Sequence, residues 1–171
     1  MNIREATKND APQIAKVHVE AWKAAYKEVM PKVFLKSLSV ESKTKQWTES
    51  LSKKSIGTTS IIELNKTIVG FCVFGPIRDK DLTSENFGEL VAINILPEFW
   101  DKGLGSKVLK YVKNMSYQRK WDSLHLWVIK ENSRARYFYE KFGFELEGSE
   151  RNSSNLTGHD LHEVKYIINL Q

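Results

Sequence analysis

Lys102-Gly103-Leu104-Gly105-Ser106 sets two glycines between an aliphatic stretch, Glu89 to Leu96, and a run with helical spacing, Lys107 to Tyr117. Glycine admits φ > 0 and lets a ligand approach the backbone closely. Amides at the start of a helix lack intrahelical partners and lie at the positive end of its dipole. Together these features suit a phosphate group. Asp101, Lys102, Leu104 and Ser106 add main-chain donors around Gly103 and Gly105. Lys107, Lys110 and Lys113 recur on neighbouring helix positions, either as solvated surface or as cations facing a phosphate. A plain strand-to-helix turn would use the same residues. A dinucleotide-binding turn is disfavoured, because the loop lacks the third glycine of that motif and does not follow the first strand.

Three other reactive groups invite a chemical reading. His18 lies mid-stripe on the first helix, where a hydrogen-bonded core histidine is expected rather than a substrate contact. Cys72, in the apolar Gly70-Phe71-Cys72-Val73-Phe74-Gly75 segment, is expected to pack rather than react. His159 and His162 stand three apart, which on a strand points them to opposite faces. With no other ligand spacing nearby, no metal site is expected.

The elements that must position these groups follow from periodicity. Ile3 to Ala6 reads as a first strand, and Asp10 caps a helix whose stripe of Ile14, His18, Ala21 and Ala25 runs to about Lys27. Lys32 to Leu51 reads as helical, with a break near Ser39. Thr58 to Leu64 and Thr67 to Gly75 form a hairpin about Asn65-Lys66. Pro76 to Phe87 is a charged loop. After the central strand and its helix come a strand, Ser123 to Ile129, and a short helix, Ser133 to Phe142, stopped by Gly143. Strands Phe144 to Gly148 and Leu161 to Leu170 flank an Asn- and Ser-rich segment, Asn152 to Gly158. A chain of 171 residues with 41% hydrophobic content suits one α/β domain of mixed sheet with a real core. Its single cysteine fits a reducing compartment, and no apolar run nears the ~20 residues that span a bilayer. These features, with the lack of an apolar leader, imply a cytoplasmic protein with no membrane partner. The net charge of +5 comes from scattered residues. It would serve nucleic acid, an anionic cofactor or plain solvation, but no nucleic-acid motif accompanies it.

Two segments together resemble the GNAT superfamily of acetyl-CoA-dependent N-acetyltransferases. ILPEFWDKGLGS, Ile95 to Ser106, is similar to that family's pyrophosphate loop, Gln/Arg-x-x-Gly-x-Gly/Ala. NSRARYFYEKFGF, Asn132 to Phe144, is similar to its N-x-x-A-x-x-F-Y-E-x-x-G-F block. Trp100 departs from the Gln or Arg of the pattern, and Asp101 sets a carboxylate beside the loop. The resemblance implies a mixed, mostly antiparallel sheet flanked by helices, with a splayed central strand, in one domain over residues 1–171. It implies acetyl-CoA as cosubstrate without a metal, its diphosphate on Asp101 to Ser106. The backbone of Ile93, Asn94 and Ile95 would pair with the pantetheine arm and polarise the thioester carbonyl. Asn132 matches the residue that bonds the arm, or else neighbours a helix cap.

Tyr139 matches the family's general acid, a phenol of pKa near ~10 suited to returning a proton to sulfur. Its other reading is a packed aromatic. Glu89 matches a catalytic glutamate of the histone-acetylating branch. In another branch that residue falls where this chain has Trp127. Trp22 and Tyr26 lie near where the family's first helices cover the acceptor. The expected activity is acetyl transfer to a primary amine of a small molecule or peptide, through a ternary complex. The alternative is a non-catalytic CoA-binding module of the same fold. The resemblance leaves a homodimer open.

Overall fold

The computed structural model describes residues 1–53, 55–79, 86–153 and 160–170. In chain order they form β1 (Asn2–Glu5), α1 (Ala11–Ala25), α2 (Lys32–Ser37), α3 (Val40–Ser52), β2 (Thr58–Leu64) and β3 (Thr67–Pro76). There follow β4 (Phe87–Ile95), α4 (Leu104–Gln118), β5 (Ser123–Ile129), α5 (Ser133–Lys141), β6 (Glu145–Ser153) and β7 (Leu161–Asn169). The strands make a mixed sheet in the order β1-β2-β3-β4-β5-β7-β6. Antiparallel pairing joins β1 to β2, β2 to β3, β5 to β7 and β6 to β7. β4 and β5, connected through α4, pair in parallel. Their ladder holds only Phe87 to Glu89 against Ser123 to His125, ending well before β4 does.

The chain resolves into two compact units, Met1–Phe74 with Ala92–Lys110, and Gly75–Val91 with Tyr111–Gln171. In the first, α1 packs on α3, and Ile14, Val17, Ile61, Phe71 and Phe74 are fully buried. In the second, Leu124, Leu126, Phe144 and Tyr166 are fully buried.

Local chemistry explains most element boundaries. Ser39 caps α3, its hydroxyl accepting from Ser42 N at 3.3 Å, where the sequence suggests the break. Asn65 and Lys66 take φ of 50° and 65°, the paired positive values of a two-residue hairpin turn. Several boundaries differ from expectation by one or more residues, and three of them bear on the argument. α1 ends at Ala25, short of Lys27. α4 begins at Leu104 rather than Lys107, which puts Gly105 in its first turn. β6 continues to Ser153 because Gly148 (φ 104°) lies in a register shift between Leu146 and Glu150 rather than at a strand end. His159, most of the Asn- and Ser-rich segment and residues 80–85 of the charged loop lie outside the described residues.

Candidate active site

In the first unit, β4 ends with Ile93, Asn94 and Ile95, and Leu96 N donates to Val69 O at 2.9 Å. Close approach of β3 requires Gly70, since a Cβ there would lie 2.8 Å from Asn94 O and 3.1 Å from Ile95 Cγ1. The chain turns through a short 3-10 segment, Pro97–Phe99. Trp100 then donates its indole Nε1–H to Ile95 O at 2.7 Å. The residue that departs from the family pattern therefore ties the loop to the last carbonyl of the central strand.

Asp101 and Gly103 both take left-handed backbone, with φ of 57° and 75°. Asp is among the few side chains tolerated there. A Cβ on Gly103 would meet nothing within 4 Å, so this turn is open. Buried Leu104 anchors it, while Asp101, Lys102 and Gly103 are exposed. The helical ladder begins with Lys107 N to Gly103 O at 3.3 Å. The N–H groups of Leu104, Gly105 and Ser106 thus stand ahead of that ladder, as donors suited to an anion.

Trp22 and Tyr26 are half-buried on and just beyond α1, ring centres 5.2 Å apart. His18 Nδ1 accepts from Trp47 Nε1 at 3.2 Å, which leaves its proton on Nε2. Burial, and then Lys43, pulls its pKa down to about 4, so the ring is neutral near pH 7. Burial pushes the Cys72 thiol up to about 12, and the residue packs as expected.

In the second unit, Asn132 caps α5, its Oδ1 accepting from Ala135 N at 3.1 Å. The cap uses the carbonyl end of that amide. Half-buried Tyr139 is held at the C-terminal end of α5, its ring edge-on to Phe138 and Phe144. Its carbonyl accepts from Phe142 N and Phe144 N at 3.0 and 3.1 Å. The same helix is pinned to β7. Fully buried Tyr166 donates its hydroxyl to Glu140 Oε1 at 2.5 Å and accepts from Arg136 Nε at 3.0 Å.

Glu89 lies inside the protein rather than at a solvated strand end, its side chain 3% exposed. Oε2 accepts from Arg78 N (3.1 Å) and Nε (2.8 Å), and Oε1 from Arg78 Nη2 (2.6 Å). A carboxylate oxygen accepts about two bonds, so Oε1 retains one acceptor position.

Sequence reasoning missed the surroundings of Glu89. Asp79 meets Lys165 Nζ at 2.7 Å and accepts from Trp127 Nε1 at 3.2 Å. Burial pushes Asp79 up, but Lys165, Trp127 and Arg151 outweigh it and hold its carboxyl below the usual range. Arg151 donates to Glu163 at 2.8 Å and lies 4.1 Å above the Trp127 ring. One signal was available: Glu163 and Lys165 stand two apart in a strand whose other residues are mostly apolar, so two charges share one face. Among the described residues no cluster of three or more His, Cys, Asp or Glu could hold a metal ion.

The chain is an α/β protein whose mixed sheet runs its central strand into a helix start suited to an anion. Within that class, the chain belongs to the acetyltransferase (GNAT) family, whose model matches residues 18–144. It is 30% identical over 177 residues to the uncharacterized N-acetyltransferase YuaI of Bacillus subtilis (strain 168), covering 99% of each chain. It is 23% identical to the spermidine N(1)-acetyltransferase of Thermoplasma acidophilum, over 88% of this chain and 91% of that one. The crystal structure of PaiA N-acetyltransferase from Thermoplasma acidophilum in complex with coenzyme A shares the fold. Its TM-score is 0.72 at 21% identity, with 96% of each chain covered.

Proposed function

We propose that this chain transfers the acetyl group of acetyl-CoA to a primary amine of a small molecule or peptide, and that residues 1–171 serve as one catalytic domain. The observation that carries the reading is the Gly103 turn. Its open left-handed backbone leads into helix amides that precede the helical ladder, in a chain of the GNAT family. The coenzyme A held by the similar Thermoplasma structure supports the same choice of cosubstrate.

The open Gly103 turn and the helix amides that follow it suit the diphosphate of that molecule. Main-chain donors from Asp101 to Ser106 would hold the diphosphate, and the backbone of Ile93 to Ile95 and the Asn132 amide nitrogen would hold the arm. Acetyl-CoA supplies the acetyl group as a thioester: the amine nitrogen bonds to the acetyl carbon as the carbon–sulfur bond breaks, and CoA leaves as a thiol. Tyr139 donates its phenolic proton to the departing sulfur and is reprotonated from solvent. Glu89 takes the proton from the attacking nitrogen at the remaining acceptor position of Oε1, through a water because the carboxylate is buried. Trp100 positions the loop by holding Ile95 O.

Thiol release across pH tests the assignment. Tyr139→Phe is expected to lower kcat about 100-fold or more and to remove the alkaline limb, with CoA affinity unchanged. Glu89→Gln is expected to lower kcat with CoA affinity unchanged. A Tyr139→Phe profile matching the wild type would refute the acid role. CoA binding without thiol release from any amine would favour the non-catalytic module.

A further inference from the structure

The ion pairs around Glu89 bear on which amine the protein takes, and the inference rests on the acetyltransferase reading above. Residues directly opposite in a ladder share a sheet face. Glu89 stands opposite His125, Trp127 opposite Lys165, and Glu163 opposite Arg151. One face of the second unit therefore carries all six.

The carboxylates lie deeper than the guanidiniums, with buried Lys165 as the one inward cation among them. The carboxylates lie inward, with side-chain exposures of 3% for Glu89, 10% for Glu163 and 19% for Asp79. The guanidiniums lie outward, Arg78 at 60% and Arg151 at 40%. Each is already oriented from below. Arg78 is gripped through Nε and Nη2 by Glu89. Arg151 is gripped through Nε by Glu163 and stacked on Trp127. Among the described residues no hydrogen bond engages Nη1 of Arg78 or Nη2 of Arg151, which are donor groups of each fork. Lys165 is buried against Asp79. Glu147, a further carboxylate of β6, accepts from Ser149 N at 2.9 Å.

We propose that the acceptor is an amine that also bears a carboxylate, docked on the outward donors of Arg78 and Arg151. Pre-oriented guanidiniums recognise a planar carboxylate with little further ordering. Exposed cations repel a ligand that brings only positive charge. The inward carboxylates of the same face, Glu89 among them, suit the ammonium end of such a zwitterion.

The test measures thiol release by the full chain with acetyl-CoA. Its acceptors are free L-amino acids, their C-terminal amides and spermidine, whose name a relative carries. Calorimetry with CoA present compares N-acetyl amino acids with N-acetyl amino amides. Free acids are expected to exceed amides and spermidine by at least about tenfold in kcat/KM, and their KM to rise with salt while that of the amides does not. Arg151→Gln should collapse the acid-to-amide ratio toward one through KM, with CoA affinity unchanged. The salt dependence gives the same decision without a variant, should Arg151→Gln fail to fold. The proposal is overturned if amides or spermidine match the acids, if the ratio survives Arg151→Gln, or if acids are neither acetylated nor bound as N-acetyl products. Any of these with CoA bound and thiol released on acetylation of some other amine leaves the acetyltransferase reading standing. Wild-type protein that does not bind CoA would defeat that reading itself.

Discussion

At Gly103 the backbone takes φ 75° and a Cβ would enter empty space. A β-branched side chain is a poor occupant of left-handed backbone, at roughly 1–2 kcal/mol. Gly103→Val is therefore expected to lower stability by about that much in a urea titration while abolishing CoA binding by calorimetry. The separation of the two readouts is the point: nothing in the protein lies within 4 Å of that Cβ position, so the cost to the fold is that of the backbone conformation alone. Trp100 illustrates the opposite lesson. Set against the family motif it is a departure, yet its indole N–H finds Ile95 O at 2.7 Å. A motif records side-chain types, whereas the requirement here is a donor that can reach one carbonyl.

Among the elements, β4 depends on a close approach that its sequence barely advertises. A Cβ on Gly88 would lie 2.0 Å from Trp121 Cε3, inside the ring's own volume. Gly88→Ala must displace a tryptophan that is only 6% exposed, and is expected to destabilise the fold by about 1–3 kcal/mol, read as a lower Tm. The helices and hairpin were legible because their signals are local: a 3.6-residue period, the Ser39 cap, and two turn residues between alternating strands. The end of β6 was not. Gly148 marks a register shift that exists only against β7, and no single strand encodes its partner's register. The same reasoning separates Tyr139 from Glu89. Tyr139 sits inside a contiguous motif on one helix, so its neighbours are fixed by sequence. Glu89 is bonded by Arg78 and faces groups from β5 and β7, residues that the chain order keeps far apart.

For the whole molecule, acid should act through two buried groups in separate pH windows. Desolvation, with Lys43 secondary, holds His18 at about 4 against an ordinary 6.5. An unfolded chain protonates it first, so stability is lost as pH falls from about 6.5 to 4. Arg4, bonded to both oxygens at 2.8 Å, is the main cause holding Asp10 at about 2 against 3.8. Its contribution is present above pH 3.8 and lost as pH falls toward 2. With Arg4 partly exposed, it amounts to about 1–2 kcal/mol. Urea midpoints from pH 7 to 2 should show both declines. His18→Gln should shrink the upper one, and Asp10→Asn the lower.

The sequence alone determined the family, the glycine turn and the tyrosine helix, because each is written in consecutive residues whose geometry follows from backbone and helix rules. Tertiary structure decided what surrounds Glu89, why Trp100 is acceptable, and which charges face outward. Those outcomes depend on strand pairing and depth of burial, and both are set by contacts between residues distant along the chain.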